Sequence, residues 1–316
     1  MSQKKITIED IAREAGVGIG TVSRVLNNSI HVSEKTRKRV LDVIKARQFK
    51  PSGAARVLAR QNRVDSSIGL LLPDIGNHYF FEIFESIYRK LRGLGIDLII
   101  LNYEKHNPQV IQRVLDTQVS ALLIFAFQLD AGEHELLSRR NVRCLYIDYP
   151  CQDNHCIYTD NSYGGQLAAQ YLKTKGVTNP VYIGVDPPAQ SNVDRYAGFS
   201  REYGEVPTYQ CVLSEEAGYD IGKKVLKEGL YDGAFCYCDD IASGFVQAVR
   251  EGGYPVSVIG FDGVRATKYL NLSTISQEPT SIGTRAASLI VDIMRSREEL
   301  EPIIECRKPI LIDRGS

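Results

Sequence analysis

The chain has 316 residues, 43% hydrophobic and 24% charged, with a formal net charge of zero: the composition of a globular protein with chain enough for more than one core. No run approaches the roughly 18 apolar residues of a membrane span, and no apolar signal core follows Met1; both point to the cytoplasm. The zero balance hides an asymmetry, because residues 1–63 carry 14 Lys/Arg against 5 Asp/Glu and the remainder carries 24 against 33, so a head of +9 suited to a polyanion precedes a body of −9.

Thr7, followed by Ile8-Glu9-Asp10, has the form of a capping box, and Ile8, Ile11 and Ala12 fall on one helical face before Gly16 stops the helix. A second short helix is expected across "VGIGTVSRVLNN". Val22, Val25 and Leu26 form its inner face, leaving Ile19, Gly20, Ser23, Arg24 and Asn27 outward. A third starts at the N-cap Ser33. Val40, Leu41 and Ile44 are its expected inner face, with Lys35, Arg37, Lys38 and Arg39 outside. Two short helices joined by a glycine turn and braced by a third make a helix-turn-helix unit, whose second helix enters the DNA major groove. Pro51 then blocks helix continuation, and residues 51–60 are too short to hold a helix alone.

From Ser67 the texture changes. "SIGLLLP", "IDLIILN", "SALLIFAF" and "VRCLYIDYP" are apolar runs separated by helix-length segments such as 79–92 and 108–118. A second series, "NPVYIGVD", "DGAFCYCDD" and "VSVIGFDG", follows Tyr158. The alternation predicts two doubly wound lobes with buried parallel sheets, and a ligand where the strands present their carboxyl ends. The runs end there in Asp74, Asn102, Asp148, Asp186, Asp239 and Asp262. Aspartates with aromatic neighbours suit a polyol cleft, where carboxylates accept from hydroxyls and an arginine donates. The seven cysteines, an odd number, read as reduced thiols, and Cys236 and Cys238 have no second Cys/His pair at zinc spacing. With no catalytic triad, paired carboxylates or glycine-rich nucleotide loop, neither an enzyme, a metal site nor a cofactor is expected.

The stretches "TIEDIAREAGVGIGTVSRVLNN" and "VSEKTRKRVLDVIKARQFKPSGAARVLA", with "VDRYAGF", "CDDIASG", "VIGFDG" and "LSTISQEP" further on, resemble the lactose-repressor (LacI) family of bacterial transcription regulators. The resemblance implies a helix-turn-helix domain over residues 1–50, a hinge helix and linker over 51–65, and an effector-binding and dimerisation body over 66–316. Within the body it implies an N-subdomain of 66–158 plus 278–300 and a C-subdomain of 159–277 plus 301–316, arranged as in periplasmic binding proteins.

It also implies operator contacts from Thr7, Ile19, Gly20, Thr21, Ser23, Arg24, Asn27, Asn28 and Ser33, and from the hinge residues Ala55, Arg56 and Leu58. Arg24 can offer a bidentate fork to guanine and Ile19 an apolar contact to a thymine methyl, while Leu58 would wedge into a minor-groove base step. Gly18 stands where most members carry a capping Ser, and Gly20 has no side chain for reading a base; a loosened first turn is expected. Effector contacts are implied at Asn77, Tyr79, Phe80, Ile83, Asp148, Arg195, Tyr219, Asp262 and Gln277. Cys238 is a further cleft position, where a usual Asn is replaced, and Gly263 replaces a usual second acidic residue.

The expected partners are a pseudo-palindromic operator duplex, a small-molecule effector of sugar type, and a second copy of the chain in a C2 dimer, since no leucine heptad tail follows "KPILIDR". Purine- or phosphoprotein-responsive relatives supply an alternative, and a periplasmic-type sugar-binding protein a more distant one.

Overall fold

The computed structural model describes residues 6–26, 32–47, 49, 67–73, 76–104, 107, 109–117, 119–296, 298 and 300–316. Asn27, Asn28, Asp74 and the hinge positions Ala55, Arg56 and Leu58 lie outside the described residues. Contacts divide the chain into two compact units, Met1–Ser66 and Ser67–Ser316.

In the first unit, α1 (Ile8–Glu14) opens with the expected capping box: the Asp10 N–H donates to the Thr7 hydroxyl and the Thr7 N–H to the Asp10 carboxylate. Gly16, at φ +60°, takes the left-handed position that ends the helix. α2 (Ile19–Leu26) closes its first turn on the Gly18 carbonyl, which accepts from Thr21 and Val22. α3 (Glu34–Ala46) is capped by Ser33, whose hydroxyl accepts from the Thr36 N–H. Ile11, Ala12, Ala15, Val22, Val25 and Val40 form the small core, and Arg47 ties α3 to Glu14 of α1 at 2.8 Å. Leu41, expected inward, is 47% exposed. Val43 packs with Ile44 and Val40 instead, because the adjacent-turn positions 40, 43 and 44 hold the shared face.

The second unit holds two sheets built on one plan. The first comprises β1 (Ser67–Leu72), β2 (Asp97–Asn102), β3 (Ala121–Phe125), β4 (Arg143–Ile147), β5 (Cys156–Thr159) and β11 (Ile304–Arg307), ordered β11-β5-β4-β3-β1-β2 and parallel throughout. The second comprises β6 (Pro180–Val185), β7 (Thr208–Cys211), β8 (Gly233–Cys236), β9 (Ser257–Asp262), β10 (Ser273–Ser276) and β12 (Ile310–Ile312), ordered β12-β10-β9-β8-β6-β7, with only β12 antiparallel. Both orders reverse direction after the first strand, the switch point beside which doubly wound sheets bind ligands.

Helices between the strands cover the faces. They are α4 (His78–Gly93), α5 (Gln109–Asp116) and α6 (Ala131–Arg139) in the first lobe. In the second they are α7 (Asn161–Thr174), α8 (Gln190–Tyr203), α9 (Glu215–Lys227) and α10 (Asp239–Gly252). After β10, α11 (Pro279–Arg295) returns to pack on α4, β3 and β4. The strand Ile304–Arg307 belongs to the first sheet, which corrects the assignment of residues 301–316 to the second lobe. It pairs in parallel with β5, and the chain crosses back only between Arg307 and Ile310. An exposed, alternating edge strand carries too few apolar residues to reveal its sheet. None of the helices among the described residues is long and apolar enough to cross a membrane.

Candidate nucleic-acid face and ligand cleft

The outer face of α2 carries Ile19, 49% exposed, with Gly20 and Arg24 exposed and Thr21 and Ser23 half-buried. Val22 and Val25 are buried beneath them. The helix is eight residues long and stands only because its inner side is held by α1 and α3. Thr7 and Ser33 sit at the caps of α1 and α3, exposed.

The second unit contains a cavity of 460 Å³ whose lining comes from the loops and helix starts after the C-terminal ends of strands in both sheets. Asn77, Tyr79 and Phe80 follow β1, Ala126 follows β3, Asp148 and Tyr149 follow β4, and Asn161 follows β5. From the second lobe come Gln190, Ser191, Asp194 and Arg195 after β6, Tyr237 and Cys238 after β8, and Asp262 ending β9. Three lining residues that are not glycine hold positive φ, Ala126 at 63°, Asp148 at 57° and Asp262 at 119°. Such conformations cost on the order of 1–3 kcal/mol each and gather where chains must turn side chains into a site.

Arg195 is the centre of the polar wall. It is 2% exposed, its Nε donates to Asn161 Oδ1 at 2.8 Å, and NH1 donates to the Tyr237 carbonyl at 2.6 Å. NH1 lies 3.6 Å from the Asp262 carboxylate, and the guanidinium stacks on Phe261 at 3.7 Å and Tyr237 at 4.6 Å. Arg195 itself lines the cavity, where its guanidinium can meet an acceptor. Glycines set this position. A Cβ on Gly165 of α7 would come within 2.0 Å of the Arg195 carbonyl, and one on Gly198 of α8 within 1.9 Å of the Ser162 carbonyl.

A hydrogen-bonded chain crosses the seam between the lobes. The Tyr79 hydroxyl donates to Gln277 Oε1 at 3.1 Å, and Gln277 Nε2 donates to Asp262 at 2.7 Å. Elsewhere on the seam the Arg265 guanidinium pairs with Glu82 and Glu85 of α4, which holds the Glu85 carboxyl below the usual carboxylate range. Burial pushes the Asp148 carboxyl up to about 6 against the opposing pull of Arg195, and pushes Asp262 well above its ordinary value. On the first lobe's side of the cavity, Phe80 packs edge-on to the buried Phe125 at 4.4 Å.

Of the expected effector positions, Asn77, Tyr79, Phe80, Asp148, Arg195, Cys238 and Asp262 line this one cavity, and Gln277 is joined to it through Tyr79 and Asp262. Ile83, one turn further along α4, is fully buried in the core and does not line it. Tyr219 is also absent from the lining: its hydroxyl donates to Glu251 of α10 at 2.5 Å and its ring lies under Lys223. The helix α9 presents that turn to α10 and solvent. Cys238 precedes α10 without a side-chain cap bond, its thiol pushed well up by burial. Gly263 has φ +77° and its N–H donates to Asp239 at 2.7 Å; a Cβ there would overlap Ser276. The sequence reading missed Asn161, Ser191, Asp194 and Tyr237. Asn161 and Tyr237 stand just after strands, the rule already applied to the aspartates, whereas Ser191 and Asp194 lie in the helix that follows β6, beyond the reach of that rule.

Comparison with known proteins adds the family context. Residues 7–52 match the family described as bacterial regulatory proteins, lacI family, and residues 169–316 match a periplasmic binding protein-like domain. The HTH-type transcriptional repressor PurR of Histophilus somni (strain 129Pt) is 29% identical, over 98% of each chain. The HTH-type transcriptional regulator GalR of Escherichia coli (strain K12) is 28% identical, over 98% of this chain and 95% of that one. A crystal structure of the lac repressor dimer bound to operator and the anti-inducer ONPF shares the fold with a TM-score of 0.82, at 22% identity over 98% of each chain.

Proposed function

This chain belongs to the lacI family of bacterial regulatory proteins, and on that premise we propose that it is a repressor whose hold on an operator is set by a neutral polyhydroxylated ligand, a sugar, in the cavity between its lobes. It is a DNA-binding transcription regulator and not an enzyme. The observation that carries the ligand reading is Arg195, which lines the cavity beside Asp262 with Asp148 facing it from the other lobe. Acidic groups from both lobes face the guanidinium, so the ligand need carry no negative charge of its own, and the wall offers both donors and acceptors as hydroxyls require.

In this reading Ile19, Gly20, Thr21, Ser23 and Arg24 face the major groove, with Thr7 and Ser33 on phosphates and Asn27, Asn28, Ala55, Arg56 and Leu58 completing the contact. The protein acts in the cytoplasm as a C2 dimer on a pseudo-palindrome. Ligand drawn between the lobes changes their angle, and operator and ligand alter each other's affinity by the same factor.

A purine is the second reading, favoured by the relatives named PurR and by the aromatic walls Phe80 and Tyr149, which suit a stacked base. A melting screen against mono- and disaccharides, sugar phosphates and purines tests both. A ligand at about 100 times its Kd adds roughly 2.7 kcal/mol, and the rise should vanish in Arg195→Ala. A purine hit alone replaces the sugar reading, and silence across the panel overturns control by this cavity.

A further inference from the structure

Beside the cavity, three helix starts meet at the seam. His78 opens α4 in the first lobe, Glu215 opens α9 in the second, and Asp240 is the second residue of α10. One donor atom from each lies within 4.8 Å of the other two. His78 Nδ1 is 2.6 Å from Asp240 Oδ1, and the His78 N–H donates to Asp240 Oδ2 at 3.4 Å. Asp240 is buried, while His78 and Glu215 are exposed. None of the three lines the ligand cavity, although their neighbours Asn77 and Cys238 do.

We infer that His78, Glu215 and Asp240 form a site for a divalent transition-metal ion of the zinc and cobalt class, closing across the seam between the lobes. An imidazole nitrogen with two carboxylate oxygens is the borderline donor set such ions take, whereas calcium and magnesium prefer oxygen alone. Metal–nitrogen and metal–oxygen bonds of ~2.0–2.2 Å around a tetrahedron place donor atoms about 3.4 Å apart. The His78–Asp240 pair, at 2.6 Å, must therefore open slightly, and no donor pair starts more than 4.8 Å apart. Side-chain rotation covers both changes. The ion takes the place of the hydrogen shared by Nδ1 and Oδ1; that proton leaves to solvent, the imidazole binds as its neutral form, and water fills the fourth position. The buried carboxylate is already oriented by the His78 backbone, and the exposed partners leave a path for entry.

Because the donors come from both lobes, the bound ion fixes the lobe angle, and any effect on operator affinity rests on the regulator reading above. Uptake itself does not. The test is a Co²⁺ titration of the full, untagged chain, followed by equilibrium dialysis and visible absorption. Saturable uptake of one ion per chain is expected, with visible bands but without the thiolate charge-transfer band that cysteine ligands give. Uptake should be lost in His78→Ala and weakened in Glu215→Gln. The second variant changes only an exposed side chain, so it decides the matter should the first fail to fold. No uptake leaves His78 and Asp240 an ion pair only and overturns the site. Uptake unchanged by both substitutions, or a thiolate band, places the metal elsewhere and overturns it equally. Uptake that follows the variants while operator affinity stays constant supports the site and counts against the lobe-angle mechanism.

Discussion

The two lobes share a strand order yet contribute unlike halves of the cavity. The first brings Tyr79, Phe80 and Tyr149 with one carboxylate, Asp148; the second brings Arg195, Asp194, Asp262, Gln190 and Ser191. One lobe supplies a largely apolar wall and the other the charged groups that orient a ligand. The packing beneath them differs in the same sense. The turn bearing Arg195 is seated by the glycine-on-carbonyl contact between α7 and α8, so the charged wall depends on backbone approach as well as side-chain chemistry. What the contrast teaches is that a duplicated scaffold fixes where a site lies, while local residues decide which half holds the ligand and which covers it.

The contrast can be broken most severely at Arg195. Arg195→Ala should abolish ligand binding and cost about 3–5 kcal/mol of stability, because Asp262 is left buried beside no cation. Denaturant unfolding and ligand titration measure the two losses, and retained affinity would refute the polar-wall assignment.

A milder disturbance is Gly165→Ala, whose methyl group meets the Arg195 carbonyl and forces α8 outward. The expected cost is about 1–3 kcal/mol, with weaker ligand binding although no cavity side chain has changed. Unaltered affinity in a destabilised variant would separate the helix contact from the site.

Acid titration sharpens the first lobe's part. The Asp148 carboxyl has a folded-state pKa of about 6, above the unfolded value of ~3.9, so its native form holds the proton more tightly. Its contribution to stability is therefore greatest below about pH 4, declines between about 4 and 6, and is flat above. Affinity for a hydroxyl-bearing ligand has the opposite sign, because hydroxyls donate to the carboxylate. It should fall by up to about tenfold per pH unit below about 6. Calorimetric titration across that range should show the loss, and a pH-independent constant would remove Asp148 from the contact.

The smallest effect is expected at Tyr219. Tyr219→Ala removes a half-buried surface ring outside the cavity and should leave ligand affinity unchanged in the same calorimetric assay. A lost affinity would mean that the cavity boundary extends to α9.

Much of this was legible in the residues. Thr7 with Asp10 and Ser33 with Thr36 are local capping chemistry, set within four positions of chain, and the apolar runs from Ser67 onward could be read as parallel strands because both faces of such sheets are covered. The strand-end rule found Asp148 and Asp262 and, extended, would have found Asn161 and Tyr237. Leu41 and Tyr219 were placed wrongly for one reason: helical periodicity and positional resemblance give an angle around a helix, and the neighbours decide which angle is inside.

The sequence alone determined the helix caps, the basic head, the order of strands and helices, and the chemical kind of residue at each strand's carboxyl end, all governed by contacts a few residues apart. Only the tertiary structure decided that Ile304–Arg307 joins the first sheet, that Tyr79 reaches Asp262 through Gln277, and that His78 meets Asp240 across 162 positions. Those meetings depend on two lobes closing at a shared seam, and no local pattern encodes which side chains face each other when chain segments so far apart are brought together.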